Sequence, residues 1–381
     1  MALRVASQTR PIDAPEPWAL LAESDTGFWD AGEVRVWQGC AVELIAHGPT
    51  RFEDIRRQAD ALGLDDARFY GGFAFHGGPA VEPWRGFPAA RFVLPEREVV
   101  WRDGVATETT HEASPVGPEH QDEAAGPTRP DTDKPRWHRA VEAALDAIDQ
   151  GDATKVVLSR CQRGPPTDPV RALERLSTLE PVTTRFLMRG GGAAFFGATP
   201  ETLVRLDDRV RTHALAGTAP AGDASLMHSS KDLLEHELVV TYLRGRLESA
   251  GVTDMQQGRR RLRRMRHVQH LETPLEGDAP GRHVLDLVAA LHPTPAVCGL
   301  PPRRSQELIR SLEGYPRGWY SGAVGWFDAR GRGEFAVALR SALATAEATW
   351  LFAGAGIVPG SDPAAEWDET ARKLLTLEEL L

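Results

Sequence analysis

Apolar and polar positions divide the chain into three regimes. Over residues 1–105, short runs such as EVRVWQG, AVELIAHG, YGGFAFHG and ARFVLPEREVVWRDG alternate or stop at glycine, which predicts antiparallel strands. The stretch TETTHEASPVGPEHQDEAAGPTRPDTDKP is polar, acidic and proline-rich, and predicts a surface linker over 106–136. From 137 onward, helical spacing in WHRAVEAALDAIDQGD, PVRALERLSTLEP and SSKDLLEHELVVTYLRGRLESAG predicts helices. ATKVVLSRCQRG, TTRFLMRGGGAAFFGATPETLVRLDDRVRTHALAG, GWYSGAVGWFD, GEFAVALRSALAT and TWLFAGAGIV read as strands with glycine turns. No internal repeat recurs. Strand runs broken by single helices, without steady β-α-β alternation, predict an α+β fold with antiparallel sheets.

Composition narrows the function classes. The 381 residues carry 44 Lys plus Arg against 54 Asp plus Glu, a net charge of −10, which argues against nucleic acid or an anionic membrane as partner. The arginines between 259 and 266 are the one basic run; without interleaved aromatics they read as a solvated turn. Cys40, Cys161 and Cys298 are odd in number, far apart and in no CxxC spacing, which argues against a disulfide frame or a zinc site and suits a reducing cytoplasm. The N-terminus MALRVASQTRPIDAPEP has no apolar run of the secretory kind, and no segment approaches the ~18 apolar residues of a membrane span. A cytoplasmic protein is expected.

Candidate chemistry gathers in a few places. Asp232 and Glu235 in KDLLEHELVV are three apart on one helical face, as are Glu366 and Glu369 in EWDETARK, with Lys373 a turn further on. Either pair alone also describes a charged solvent face. Two matching pairs on separate helices suit a shared oxygen-ligand site, and hard carboxylate oxygens suit Mg²⁺. Lys155 in TKVVLSR shares a strand face with Val157 and Ser159; it is either an exposed sheet lysine or a base held in a cleft. Glu201, after the Thr-Pro of FFGATPETLVRL, is either surface decoration or the partner acid. The glycines of FAGAGIV and LAGTAPAG can bring backbone amides close to an anion, but neither is a nucleotide fingerprint. His292, before two prolines in LHPTPAVCGLP, taken alone reads as structural.

In the order KVVLSR, FFGATPE, ALAGT, KDLLEHELVV, VQHLETPLEG, LHPTPAVCGLP, GWYSGAVGW, VALRSA and FAGAGIVPGSDPAAEWDETARK, the chain resembles the chorismate-utilising enzymes, which include anthranilate synthase component I, aminodeoxychorismate synthase, isochorismate synthase and salicylate synthase. HPTPAVCG and GAGIVPGSDPAAEWDET look most like isochorismate synthases. The resemblance implies a large α+β fold of two stacked antiparallel sheets with helices outside. Residues 1–105 would be the N-terminal sheet portion and 137–381 the catalytic region. It implies Lys155 as the base that activates water and Glu201 as the acid that protonates the C4 hydroxyl. Glu235 and Glu369 become Mg²⁺ ligands, with Asp232 and Glu366 behind them or on metal waters. Arg340, Lys373 and the amides near Gly354 and Gly356 would hold substrate carboxylates. Gly217 and Thr218 would lie beside the ring, and Tyr320 and His292 would line the pocket. The activity implied is Mg²⁺-dependent conversion of chorismate to isochorismate, by a monomer with no glutamine amidotransferase partner. Salicylate synthase, an amine-transferring synthase and a non-catalytic anion binder are the alternatives. Two departures stand out: Thr199 where relatives often have Ser, and Pro220 where many carry arginine.

Overall fold

The computed structural model describes residues 5–22, 25–113 and 131–381. Its strands form one eleven-stranded and one ten-stranded sheet, antiparallel in every pairing that bears on the site. The first hundred residues are woven into both. Strand Thr26–Asp30 pairs with Thr184–Gly190 in the larger sheet, and Arg68–Phe73 pairs with Ala323–Asp328 in the smaller.

The large apolar cluster includes Phe69, Phe73, Phe92, Leu158, Leu203, Phe327 and Phe335, which come from strands of both sheets and meet residues of the outer helices. A second cluster packs Leu173 and Leu176 of helix Pro169–Leu179, and Leu374 and Leu377 of helix Pro363–Glu378, against Phe28, Phe196 and Ala198 on the outer face of the larger sheet. Strand Lys155–Gly164 is covered on both faces. Its first seven residues are all buried, the polar Lys155, Ser159 and Arg160 among them.

Two sequence expectations shift here. Residues 105–113, placed at the edge of the linker, form a strand between Val5–Ile12 and Arg97–Arg102. Its polar composition suits a place near the sheet edge, where Glu108 accepts from Arg10 and Arg97. Helix Lys134–Asp149 already begins within the expected linker, and residues 114–130 of that linker lie outside the described residues. The arginine run is a strand rather than a turn: Arg261–Arg264 pairs with Val268–Asp278, and Arg261 and Arg263 both donate to the buried Glu272. Charged side chains on an outer strand discourage pairing with another chain.

Candidate active site

Two helix starts and two strand ends converge on one cleft. Helix Ser230–Ser249 opens at Ser229, whose hydroxyl accepts from the Asp232 amide. Helix Pro363–Glu378 opens at Asp362, which accepts from the Ala364 and Ala365 amides with Pro363 in its first turn. Those caps fix the helical phase, so Glu235 and Glu369 are both turned to the cleft wall. Both carboxylates lie in the second turn of their helices.

Three acids on these two helices each hold a lysine. Lys155 Nζ donates to Glu235 Oε1 at 2.8 Å, with the Lys155 side chain 0% exposed. Lys373 Nζ donates to Glu369 Oε1 at 2.6 Å and to the Gly354 carbonyl at 2.9 Å. Lys231 Nζ donates to Glu366 Oε1 at 3.1 Å. Burial alone would raise the Glu235 carboxyl; the Lys155 charge and hydrogen bond, helped by Lys373 and Lys231, hold it below the usual range. Burial and the neighbouring Glu369 charge leave Glu366 raised despite Lys231.

Glu201 behaves in the opposite way to Glu235. It lies just past strand Ala193–Thr199, almost sealed from solvent, with its amide bonded to Thr199 Oγ1. Burial pushes its carboxyl up to about 8, and the Lys155 charge and the Thr294 hydroxyl offset only part of that. At neutral pH it is a protonated acid.

The glycines are set by close approach. A Cβ at Gly356 would stand 2.6 Å from Glu235 Oε1 and 3.0 Å from Lys155 Cε. At Gly354 it would meet the Leu158 carbonyl at 3.0 Å and Tyr320 Oη at 3.2 Å. Register explains this: Gly356 faces Val157 and Gly354 faces Ser159 across the strand pair. Gly217, at φ 76°, breaks the pairing of Val210–Pro220 with Val268–Asp278 and leaves the Thr218 amide to Asp232 Oδ1 at 3.3 Å.

Asp232 is therefore spent on the Gly217–Thr218 turn and its own cap, and it does not line the cleft. His292 also departs from expectation. Its ring packs against Phe52 and Phe75, 5.9 and 6.4 Å between centroids, away from the residues that line the cleft. The cleft histidine is His270. Its Nδ1 contacts the Gly217 carbonyl and Thr218 Oγ1, both at 3.2 Å, and its Nε2 lies 3.1 Å from Arg340 Nη2. A carbonyl only accepts and a guanidinium only donates, so Nδ1 carries the proton and Nε2 accepts. Burial, then the Arg340 and Lys373 charges, keep the ring neutral. His270 lies in a motif quoted above, but its place opposite Thr218 comes from strand register, which composition does not reveal.

Arg340 itself stands at φ 48°, and Ser321, also on the cleft wall, at φ 57°. Non-glycine residues in that region persist only where surroundings hold them, and such sites cluster where function needs a side chain aimed. Tyr320 stacks on Phe352 at 5.1 Å and closes the aromatic wall. Arg317 forms the floor. It donates to Glu313, the Val297 and Val157 carbonyls and Ser321 Oγ, and so ties together three segments of the wall.

Among the described residues, no three His, Cys, Asp or Glu groups stand together as a ready metal cage. The donor chemistry nonetheless fits Mg²⁺. Glu235, Glu366 and Glu369 offer carboxylate oxygens, the hard donors that Mg²⁺ takes, each held by a lysine ammonium that a cation would displace. The larger cavities elsewhere, one lined by Trp29, Arg35, Arg68 and Trp326, hold arginines already paired with acids such as Glu33 and Glu98.

Comparison with known proteins gives the family. A family model described as chorismate binding enzyme matches residues 106–381. The salicylate biosynthesis isochorismate synthase of Pseudomonas aeruginosa is 36% identical over 407 residues, covering 93% of this chain and 84% of that protein. Isochorismate synthase MenF of Bacillus subtilis is 35% identical over 272 residues, 67% of this chain and 57% of its own length. The structure of MenF, the menaquinone-specific isochorismate synthase from Escherichia coli, superimposes with a TM-score of 0.81 at 27% identity, covering 100% of this chain and 94% of that one. Anthranilate synthase component I from Streptococcus pneumoniae shares the fold, with a TM-score of 0.66 at 24% identity over 80% of this chain and 79% of that one. The chain belongs to the chorismate-binding enzyme family.

Proposed function

We propose that the chain is an isochorismate synthase, which moves a hydroxyl from C4 to C2 of chorismate by adding one water and losing another. The relatives' names support it. The observation that carries it is the placing of a sealed Glu201 carboxyl and a fully buried Lys155, the latter bonded to the cleft residue Glu235, at one cleft. Hydroxide is a poor leaving group and water a poor nucleophile, so a positioned acid and base each contribute about 10²- to 10⁴-fold.

In this reading, Lys155 works as the neutral amine, not as the ammonium that pairs with Glu235: it takes a proton from the attacking water, and Glu201 gives one to the departing hydroxyl. Arg340, aimed by His270, and Lys373 face the substrate carboxylates, and the absence of side chains at Gly354 and Gly356 lets Tyr320, Glu235 and Lys155 close in on the strand. Glu235 and Glu369 would hold Mg²⁺, with Glu366 beside them. Bound there, Mg²⁺ supplies Lewis-acid neutralisation of a substrate carboxylate. Chelators would then abolish turnover.

The test is incubation of the purified protein with chorismate, with and without Mg²⁺, and chromatographic separation of products. Isochorismate formed only with Mg²⁺ is expected. Salicylate with pyruvate, or no turnover, refutes the proposal. Lys155→Ala that still adds water at the normal rate removes the assigned base.

A further inference from the structure

Three ammonium groups occupy the oxygens a cation would need. Two belong to Lys155 and Lys373, which the reaction uses. The third, Lys231, has no part in the chemistry above, and its placement needs a reason. It stands in the first turn of helix Ser230–Ser249, at the positive end of the dipole, where a cation is disfavoured. Its side chain is 45% exposed, yet its amine reaches Glu366, whose side chain is only 5% exposed. What holds it there is the carboxylate group: the attraction of Glu366, then of Glu235 and Glu369, outweighs the cost of partial burial.

We infer that Lys231 is a positioning residue that tunes divalent-cation uptake, holding Glu366 aimed through their 3.1 Å hydrogen bond while competing with the cation for it. The inference rests on the cation site proposed above. A divalent ion that takes Glu366 releases the Lys231 amine, whose four-carbon stem already runs along the surface and can swing to solvent. The same competition applies to Lys155 and Lys373. Lys231 differs because it can leave the cleft without disturbing a catalytic or substrate-binding group. It should therefore weaken cation affinity without being needed for chemistry at saturating Mg²⁺.

The experiment is calorimetric titration of chelator-treated full-length protein with Mg²⁺ alone. An exposed partner of this kind costs competing ions little, so Lys231→Met should tighten Mg²⁺ binding by roughly three- to tenfold. Lys231→Arg should bind as the wild type does, because the charge is kept. In a Glu366→Gln background the Lys231→Met effect should vanish. Matching melting temperatures of wild type and Lys231→Met would show that the fold is unchanged, and the partly exposed side chain makes that the expected result. Affinity in Lys231→Met equal to or weaker than wild type overturns the role of Lys231 alone. If the wild type takes up no Mg²⁺ at millimolar concentration, the cation site fails and this inference fails with it.

Discussion

Replacing Glu201 by Gln should stabilise the protein and disable it. The wild-type carboxyl has a folded pKa of about 8 against 4.5 unfolded. At pH 7 the unfolded chain ionises this group freely while the folded chain keeps it protonated. The difference of 2.5 pH units between 4.5 and 7 is a burden on folding of about 3 kcal/mol, from roughly 1.4 kcal/mol per unit. Above pH 8 the burden levels off near 5 kcal/mol, and below pH 4 it disappears. The sign follows because a raised acid favours folding when protonated, so that stability is present at low pH and lost as pH climbs toward 8. Gln has the same shape and cannot ionise, so its stability carries no such slope. Denaturant unfolding of both proteins from pH 4 to 9 would measure it. The gap should grow from near zero to several kcal/mol in favour of Gln, while turnover of chorismate falls about 10²- to 10⁴-fold. A gap independent of pH, or a Gln variant less stable at pH 8, would refute the assignment of a sealed neutral acid.

Other substitutions probe the neighbours. Gly356→Ala puts a methyl 2.6 Å from Glu235 Oε1; overpacking of about 1–3 kcal/mol should appear as a lower melting temperature, and displacement of the Lys155–Glu235 pair as a drop in kcat, read by calorimetry and steady-state kinetics. His270→Phe should raise KM for chorismate at least tenfold by freeing Arg340, whereas His292→Phe, in its aromatic surroundings, should leave kcat/KM within about threefold. Arg317→Met leaves Glu313 charged and buried, and should cost about 3–5 kcal/mol in a denaturation experiment.

The last helix was the most legible part of the site. An Asp-Pro start and acids at 366 and 369 with a lysine at 373 fix which side chains share a stripe, because helical phase is local. Lys155 and Glu201 were legible as candidates, but not their protonation, which depends on burial by segments far along the chain. His292 and His270 show the limit. Both sit in motifs, and only the pairing of residue 270 with 218 across strands decides which one faces Arg340. Lys231 was invisible for a similar reason: its meaning comes from Glu366, 135 residues later. The strand at 105–113 was obscured by its polarity, since partners near a sheet edge are read as loop when the pairing strands are unknown.

The distances along the chain between partners in this cleft have a kinetic meaning. Lys155 meets Glu235 across 80 residues, Lys231 meets Glu366 across 135, and Arg160 fastens the last helix through Thr370 across 210. No early-forming hairpin contains a working fraction of the constellation. Each contact waits for a long loop to close, and closure entropy rises with span. The cleft is thus a late product of folding, complete only when both sheets and the C-terminal helix are docked. A lesion anywhere that delays that docking lowers the number of competent molecules rather than the rate of each one.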